Sequence, residues 1–284
     1  MNWDRMKYTE VDLASVPRYA RDDHYVFEQK FDGTGGMAVI AHDKPVWWPG
    51  RGGRGALAHT AATQHFRKIN PVLQRIVGGT PGLLVLDGEI MLATGEYHVW
   101  DVPYMRFGGV EVIRHEDDYA TRRAALDAPD LAALLEGTPV KIVRQARTTR
   151  EKHELWDTVQ TSGAEGIMVK DLRGRYEPGK RVTHTMKAKI TSTADVIVLT
   201  VNRPDPQHGS ATLGVTAANG AIVKVGACSL IGKPQVAPGD VIEVKFLNWT
   251  GASLYQPRMM RLRPDKAPHD CDLTQFKPYS RATV

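Results

Sequence analysis

Cysteine is nearly absent: Cys228 and Cys271, far apart, are the only two in 284 residues. That spacing cannot build a cysteine zinc site, and it excludes a disulfide framework, leaving room for one structural disulfide at most. A reduced, cytoplasmic protein is the simplest expectation. No apolar run approaches the ~20 residues of a membrane span. The opening residues, Met1-Asn2-Trp3-Asp4-Arg5-Met6-Lys7, lack the apolar core of a signal peptide. Internal repeats and low-complexity tracts are also missing. Neither sign of charge dominates: Lys+Arg is 37 against Asp+Glu 32, for +5 and a pI near 9.1. Such a mildly basic balance is compatible with a polyanionic partner without requiring one. What is present is a hydrophobic fraction of 42%, enough for a real core, in a chain long enough for one large domain or two ordinary ones.

Short β-like runs punctuated by glycine dominate the first part: Met37 to Ala41, Leu83 to Leu86 and Tyr97 to Val102. Helical patterns are predicted around Ala56 to Ile76, around Tyr119 to Leu135, and over Lys152 to Ser162 with Gly163 as the stop. Strands and helices without strict alternation predict an α+β domain over residues 1–190. From Ala194 onward the pattern is almost all β, with runs at 196–199, 211–215, 222–225 and 241–246. Turn signals at Asn219-Gly220 and Pro238-Gly239-Asp240 separate them. Five or so short strands in residues 191–284 predict a small barrel of the OB type. This part holds 10 Lys+Arg and 7 Asp+Glu (+3) against 27 and 25 (+2) in the rest, so it is the more basic per residue.

The most informative stretch is Glu28-Gln29-Lys30-Phe31-Asp32-Gly33. It sets one lysine at the end of a buried strand pattern (Val26, Phe27), with a tight turn predicted over Gly33 to Gly36. Such an amine can attack phosphorus if desolvation or nearby cations lower its pKa and its backbone is rigidly held. Five further segments bear on it. Asp87-Gly88-Glu89 presents carboxylates at a strand end. Trp100-Asp101 puts an aromatic in a strand, either as core or as a base-stacking platform. Glu165, between small residues and just before an apolar strand, is an oxygen ligand of the kind Mg²⁺ uses together with substrate phosphates. Lys187 and Lys189, at i and i+2, share one face of a strand, where an anion between them would relieve their repulsion. The basic run from Arg258 through Arg263-Pro264-Asp265-Lys266 is either a solvated face or a site for pyrophosphate or a DNA backbone.

In this order the segments resemble the ATP-dependent DNA ligases and, more broadly, the covalent nucleotidyltransferases that include RNA ligases and capping enzymes. The resemblance runs from about Phe27 to Lys266. Its Glu-x-Lys-x-Asp-Gly signature is Glu28 to Gly33, its Asp-Gly-Glu is Asp87-Gly88-Glu89, and its aromatic-Asp is Trp100-Asp101. Its Glu-Gly-hydrophobic run is Glu165 to Lys170. Tyr176 to Arg181 precedes the paired lysines, and Arg263 to Lys266 is its Arg-x-Asp-Lys.

The resemblance implies an adenylation domain followed by an OB-fold domain. Lys30 would attack the α-phosphate of ATP to form a lysyl-adenylate, and AMP would then pass to the 5′-phosphate of nicked double-stranded DNA. Attack by the 3′-hydroxyl would seal the nick. Glu28 would lie by the adenine and Trp100 would stack on it. Glu89 would contact ribose or support a metal, Glu165 would hold Mg²⁺ (or Mn²⁺), Lys187 and Lys189 would contact the α-phosphate, and Asp32 would assist the later steps. Lys187, Lys189 and the metal would also help keep Lys30 neutral. Arg263 and Lys266, on the barrel, would act on pyrophosphate, which implies domain closure about a hinge near Ala188 to Ala194.

One departure stands out. Family members usually carry an arginine two positions after the signature glycine, and here that position is Gly35. Arg51, in the glycine-rich Gly50-Arg51-Gly52-Gly53-Arg54, is the candidate reader of the DNA 5′-phosphate, and Arg54 could share the role. An NAD-dependent ligase is disfavoured because that class carries zinc-finger and further C-terminal domains. An RNA ligase, a GTP-using capping-type enzyme and a nick-binding module with weak catalysis are the alternatives. No N-terminal DNA-binding domain precedes Lys30, so the two domains are expected to clasp the duplex unaided, as a monomer and without a membrane.

Overall fold

The computed structural model describes residues 3–162, 164–205 and 208–276 and, of these, all side chains but those of 51 and 203–205. The chain divides into two compact units, Met1–Val159 with Glu165–Ala188, and Gln160–Ala164 with Lys189–Val284. Among the described residues no helix is long and apolar enough to cross a membrane.

The first unit is built on two sheets. Its strands are β1 (Lys7–Glu10), β2 (Tyr25–Lys30), β3 (Thr34–Ala41), β4 (Gly82–Ile90), β5 (Tyr97–Phe107), β6 (Val110–Ile113), β7 (Val140–Ile142), β8 (Gln145–Ala146), β9 (Gly166–Asp171) and β10 (Arg181–Lys189). One sheet has the order β1-β10-β9-β2-β8. The other runs β3-β4-β5-β6, with β7 paired to β5. The helices are α1 (Val16–Ala20), α2 (Thr60–Thr63), α3 (Phe66–Val77), α4 (Tyr119–Ala124), α5 (Pro129–Leu135) and α6 (Thr149–Thr161).

Strand alternation explains how the second sheet is buried on both faces. Ala38, Ile40, Leu84 and Leu86 pack with Ile69 and Leu73 of α3. Their neighbours Met37, Val39 and Val85 turn the other way and join Met6, Tyr176 and Val182 of the first sheet's side. Successive side chains of a strand point to opposite faces, so an unbroken apolar run serves two layers. The outer face of the first sheet is covered by Val16 and Ala20 of α1 and Trp156 of α6, packed with Phe27, Ile167 and Val169.

Several predicted boundaries move. Gly35 and Gly36 are not a turn: they lie in β3, opposite Glu89 and Gly88 of β4. A side chain at Gly36 would meet Ile90 Cδ1 at 2.9 Å and Trp48 at 3.0 Å, so close packing rather than turning demands glycine there. The helix expected over Ala56 to Ile76 is two, α2 and α3, interrupted at Gln64 and His65. The one expected over Tyr119 to Leu135 is also two, because Pro129 forces Ala128 into extended geometry (ψ 127°) before starting α5 at its first turn. Gly163, the predicted stop of α6, lies outside the described residues.

Helix α6 opens on a reciprocal cap. Glu151 N–H donates to Thr148 Oγ1 (3.2 Å), and Thr148 N–H and Arg147 N–H donate to Glu151 Oε2 (2.9 and 3.0 Å). Those backbone donors hold the Glu151 pKa at about 2, below its ordinary 4.5. A carboxylate depressed on folding contributes stability above the unfolded pKa and loses it as pH falls toward the folded one. The melting-temperature difference between wild type and Glu151→Gln is therefore expected to be full at neutral pH and to vanish between about pH 4.5 and about pH 2. A difference independent of pH would contradict the cap.

The second unit is a closed barrel of β11 (Ser192–Asp205), β12 (His208–Thr216), β13 (Ile222–Ser229), β15 (Arg258–Leu262) and β14 (Val241–Phe246), in that order. Val196, Val198, Leu213, Val215, Ile242 and Val244 fill its interior. The strand β14 matches its predicted run residue for residue. The closing strand β15 lies in the basic run, where one apolar position, Met259, is fully buried. Cys228 and Cys271 are buried free thiols.

Candidate active site

Lys30 is the last residue of β2 and pairs with Gly166 of β9. That register brings Glu165, one residue earlier, to the amine, and Lys30 Nζ donates to Glu165 Oε2 and to the carbonyl of Phe31 (3.3 Å). The pair is largely buried, with side-chain exposures of 17% and 7%. Lys30 opens onto a cleft of about 290 Å³ lined from both sheets of the first unit. Six basic side chains line it (Arg5, Lys7, Lys30, Lys170, Arg181 and Lys187) against the one carboxylate of Glu89. So unequal a lining suits a polyanion. Trp100 supplies an aromatic wall, with Arg5 and Lys170 each 5.4 Å from its ring centroid. Its buried Nε1 has no hydrogen-bond partner among the described residues.

Behind the lining are three buried ionic groups. Glu28 is expected beside the base, but its carboxylate is turned inward and is 1% exposed. It accepts from Lys170 Nζ (2.6 Å), Gln145 Nε2 (2.8 Å) and Tyr119 Oη (2.5 Å). Burial pushes the Lys170 ammonium down, and Glu28 opposes that shift. Glu28 therefore reaches the cleft through Lys170. Asp101 takes both prongs of Arg122, Nε at 2.8 Å and Nη2 at 2.9 Å. Asp87 is not a presented carboxylate but a fully buried one, bonded by Arg5 Nε (2.6 Å) and Tyr176 Oη (3.0 Å). Glu89, next in that segment, does face the cleft. Burial raises its pKa, against the pull of Arg5 and Lys30.

Lys187 lines the same cleft, with Nζ 3.9 Å from Glu10, its partner in the β1–β10 ladder. Lys189 ends β10 and groups with the second unit. Asp32 is exposed in the turn after β2. Arg54 is exposed beside a loop in which Gly52 and Gly53 have φ of 75° and 69°. Arg51 starts that loop, and its side chain lies outside the described residues. On the barrel, Asp195 holds both motif cations, Arg263 Nη1 at 2.8 Å and Lys266 Nζ at 3.0 Å. Arg263 also donates to Asp265, which depresses that carboxyl to about 2. Sequence reasoning missed Arg5, Lys170, Arg181 and Asp195. Lys170 and Arg181 had a signal, each closing a segment of the resemblance, to which no role was attached; Arg5 and Asp195 had none in their spacing.

The family model of the ATP dependent DNA ligase domain matches residues 96–189, a stretch that carries Trp100, Glu165, Lys187 and Lys189. No curated protein matches the chain. Among solved structures, the ligase domain of M. tuberculosis LigD is 20% identical with a TM-score of 0.52, covering 94% of this chain and 97% of that one. A mycobacterial DNA ligase D complexed with ATP and MES is 21% identical over 94% and 97%, with a TM-score of 0.53. A Lig E DNA ligase, described as binding DNA with a minimal scaffold, is 14% identical over 92% and 99%, with a TM-score of 0.57. These likenesses show a shared fold of α+β unit and β-barrel. The domain model matches about a third of the chain, a part that includes the cleft strands β5, β9 and β10.

Proposed function

We propose that this chain seals nicks in duplex DNA through an adenylate on Lys30, with residues 1–190 as the adenylation domain and 191–284 as the OB-fold domain. The observation that carries the reading is the Lys30 amine, held by Glu165 at the mouth of a cleft lined with basic side chains and Trp100. Lys30 Nζ attacks the α-phosphorus of ATP, a P–N bond forms, and the bond to pyrophosphate breaks. The amine must shed a proton to do so, and Glu165 is the carboxylate in contact to take it. The 5′-phosphate of the nick then attacks the adenylate, the P–N bond breaks, and the proton returns to Lys30. Last, the 3′-hydroxyl attacks the activated 5′-phosphate and AMP leaves. Lys187 and Lys170 neutralise charge on the phosphates, which is most of what phosphoryl transfer asks of a protein. Arg263 and Lys266 engage pyrophosphate, Lys189 the α-phosphate, Asp32 the later steps, and Arg51 and Arg54 the DNA 5′-phosphate.

No group of three or more His, Cys, Asp or Glu side chains among the described residues forms a self-sufficient ion site. Glu165 and Glu89, close enough to influence each other's charge, fit Mg²⁺ or Mn²⁺ bound jointly with nucleotide phosphates. Such an ion would supply charge neutralisation at the α-phosphate.

The test is incubation with divalent metal and ATP or GTP labelled at the α- or γ-phosphate, followed by denaturing electrophoresis. Label on the protein from α-labelled ATP alone is expected. Label from GTP would favour the capping-type reading, and no label from either would remove the enzyme reading. Sealing of nicked DNA against nicked RNA then sets the substrate. Nick affinity is expected to fall at least about a hundredfold between ~50 and ~200 mM salt, because phosphate contacts release counterions. A flat salt profile in a binding titration would contradict a phosphate-tracking surface.

A further inference from the structure

Position 35 shows which group occupies the space over the cleft's inner strand. Gly35 sits in β3 opposite Glu89, in backbone geometry that any residue adopts, so its lack of a side chain is not a conformational need. A Cβ built there would fall onto Nη1 of Arg5 and lie 2.6 Å from its Cζ, and the three nearest atoms all belong to that guanidinium. Arg5, just ahead of β1, thus passes across Gly35 into the cleft. Its Nε is committed to Asp87, which is fully buried and anchors the side chain. Its Nη1 and Nη2 have no hydrogen-bond partner among the described residues, and the group lies over Trp100, 5.4 Å from the ring centroid. The result is a fixed cation with unused planar donors beside the aromatic wall, in the cleft that Lys30 enters.

We propose that Arg5 is a nucleotide-contacting residue, donating from Nη1 and Nη2 to the ribose and α-phosphate oxygens of the nucleotide at Lys30, and that position 35 is glycine to admit it. This rests on the adenylation reading above. The arginine absent from β3 is supplied from a segment 30 residues earlier in sequence, and the buried Asp87 fixes its direction. A guanidinium suits this role better than an ammonium, since one nitrogen can be anchored while the others face the ligand.

The test uses Gly35→Ala, Arg5→Ala, Arg5→Lys and the double variant Arg5→Ala/Gly35→Arg. Gly35→Ala matters most, because its one steric consequence is to push the guanidinium away, while Arg5→Ala also strips Asp87 of its partner and can fail to fold. ATP affinity is measured by calorimetry without divalent metal, and KM and kcat for ATP in single-turnover adenylation. Gly35→Ala and Arg5→Ala are expected to weaken ATP binding and raise KM by about 10- to 100-fold, the scale of charge-assisted hydrogen bonds, with a smaller change in kcat. Arg5→Lys should recover little, and the double variant, which returns an arginine to the vacated volume, most of the loss. Wild-type ATP affinity in folded Gly35→Ala, with the wild type adenylating normally, would overturn the Arg5 assignment alone. A wild type that takes up no label would remove the adenylation reading and this assignment together.

Discussion

Lys30→Ala is expected to take up no label from ATP and to lose nick sealing by at least about four orders of magnitude, ~5.5 kcal/mol of barrier. The size follows from the residue's position. It is the one amine in the cleft that the strand register sets against Glu165, so neither Lys170, bound to Glu28, nor Lys187, near Glu10, can replace it. Lys30→Arg should fare no better, since a guanidinium keeps its proton and cannot act as the nucleophile. The variant should still seal a nick supplied already adenylated at its 5′-phosphate, because that step uses the 3′-hydroxyl and not the lysine. Sealing of that substrate with no labelling would locate the defect in nucleotide transfer. Full labelling of Lys30→Ala, or mass spectrometry placing AMP on another residue, would end the mechanism.

The second large effect is on stability. Arg122→Met is expected to cost about 3–5 kcal/mol, because it leaves the Asp101 carboxylate uncompensated in the interior. Both side chains are nearly inaccessible, at 1% and 3% exposure. Arg122 also donates from Nη1 to the carbonyls of Asp117 (2.7 Å) and Gly174 (2.9 Å), so its loss orphans two backbone acceptors as well. A fall in melting temperature of roughly 10 °C should accompany it. Pairing the change with Asp101→Asn should restore part of the loss by removing the stranded charge. Urea denaturation decides: a loss under about 1 kcal/mol would mean that water reaches Asp101 and the pair is not a buried one. Since Asp101 follows Trp100 in β5, a weaker ATP affinity is expected even where the variant stays folded.

The fold class was legible because periodicity is a local property. The strand β14 and the core of β11 stand out as apolar runs between turn signals, whereas the start of α6 was read three residues late, at Lys152, past its Thr148–Glu151 cap. The fifth barrel strand was not legible: Arg258, Arg261 and Met260 face outward, and a single buried methionine does not set a period. The candidate lysine was legible for a related reason, since its signature is contiguous from Glu28 to Gly33. Glu28 itself shows the limit. Its identity is read from the sequence, but whether its carboxylate faces a ligand or Lys170 depends on a register between strands separated by more than a hundred residues.

The amino-acid order alone thus determined an α+β unit followed by a β-barrel, and singled out Lys30 as the candidate nucleophile, because these readings depend on residues adjacent in the chain. Only the tertiary structure decided that the Asp87, Asp101 and Glu28 carboxylates are buried against Arg5, Arg122 and Lys170, and that Arg5 fills the space left by Gly35. Those outcomes follow from desolvation and packing between segments far apart in sequence, and no local pattern encodes which distant side chain will occupy a given volume.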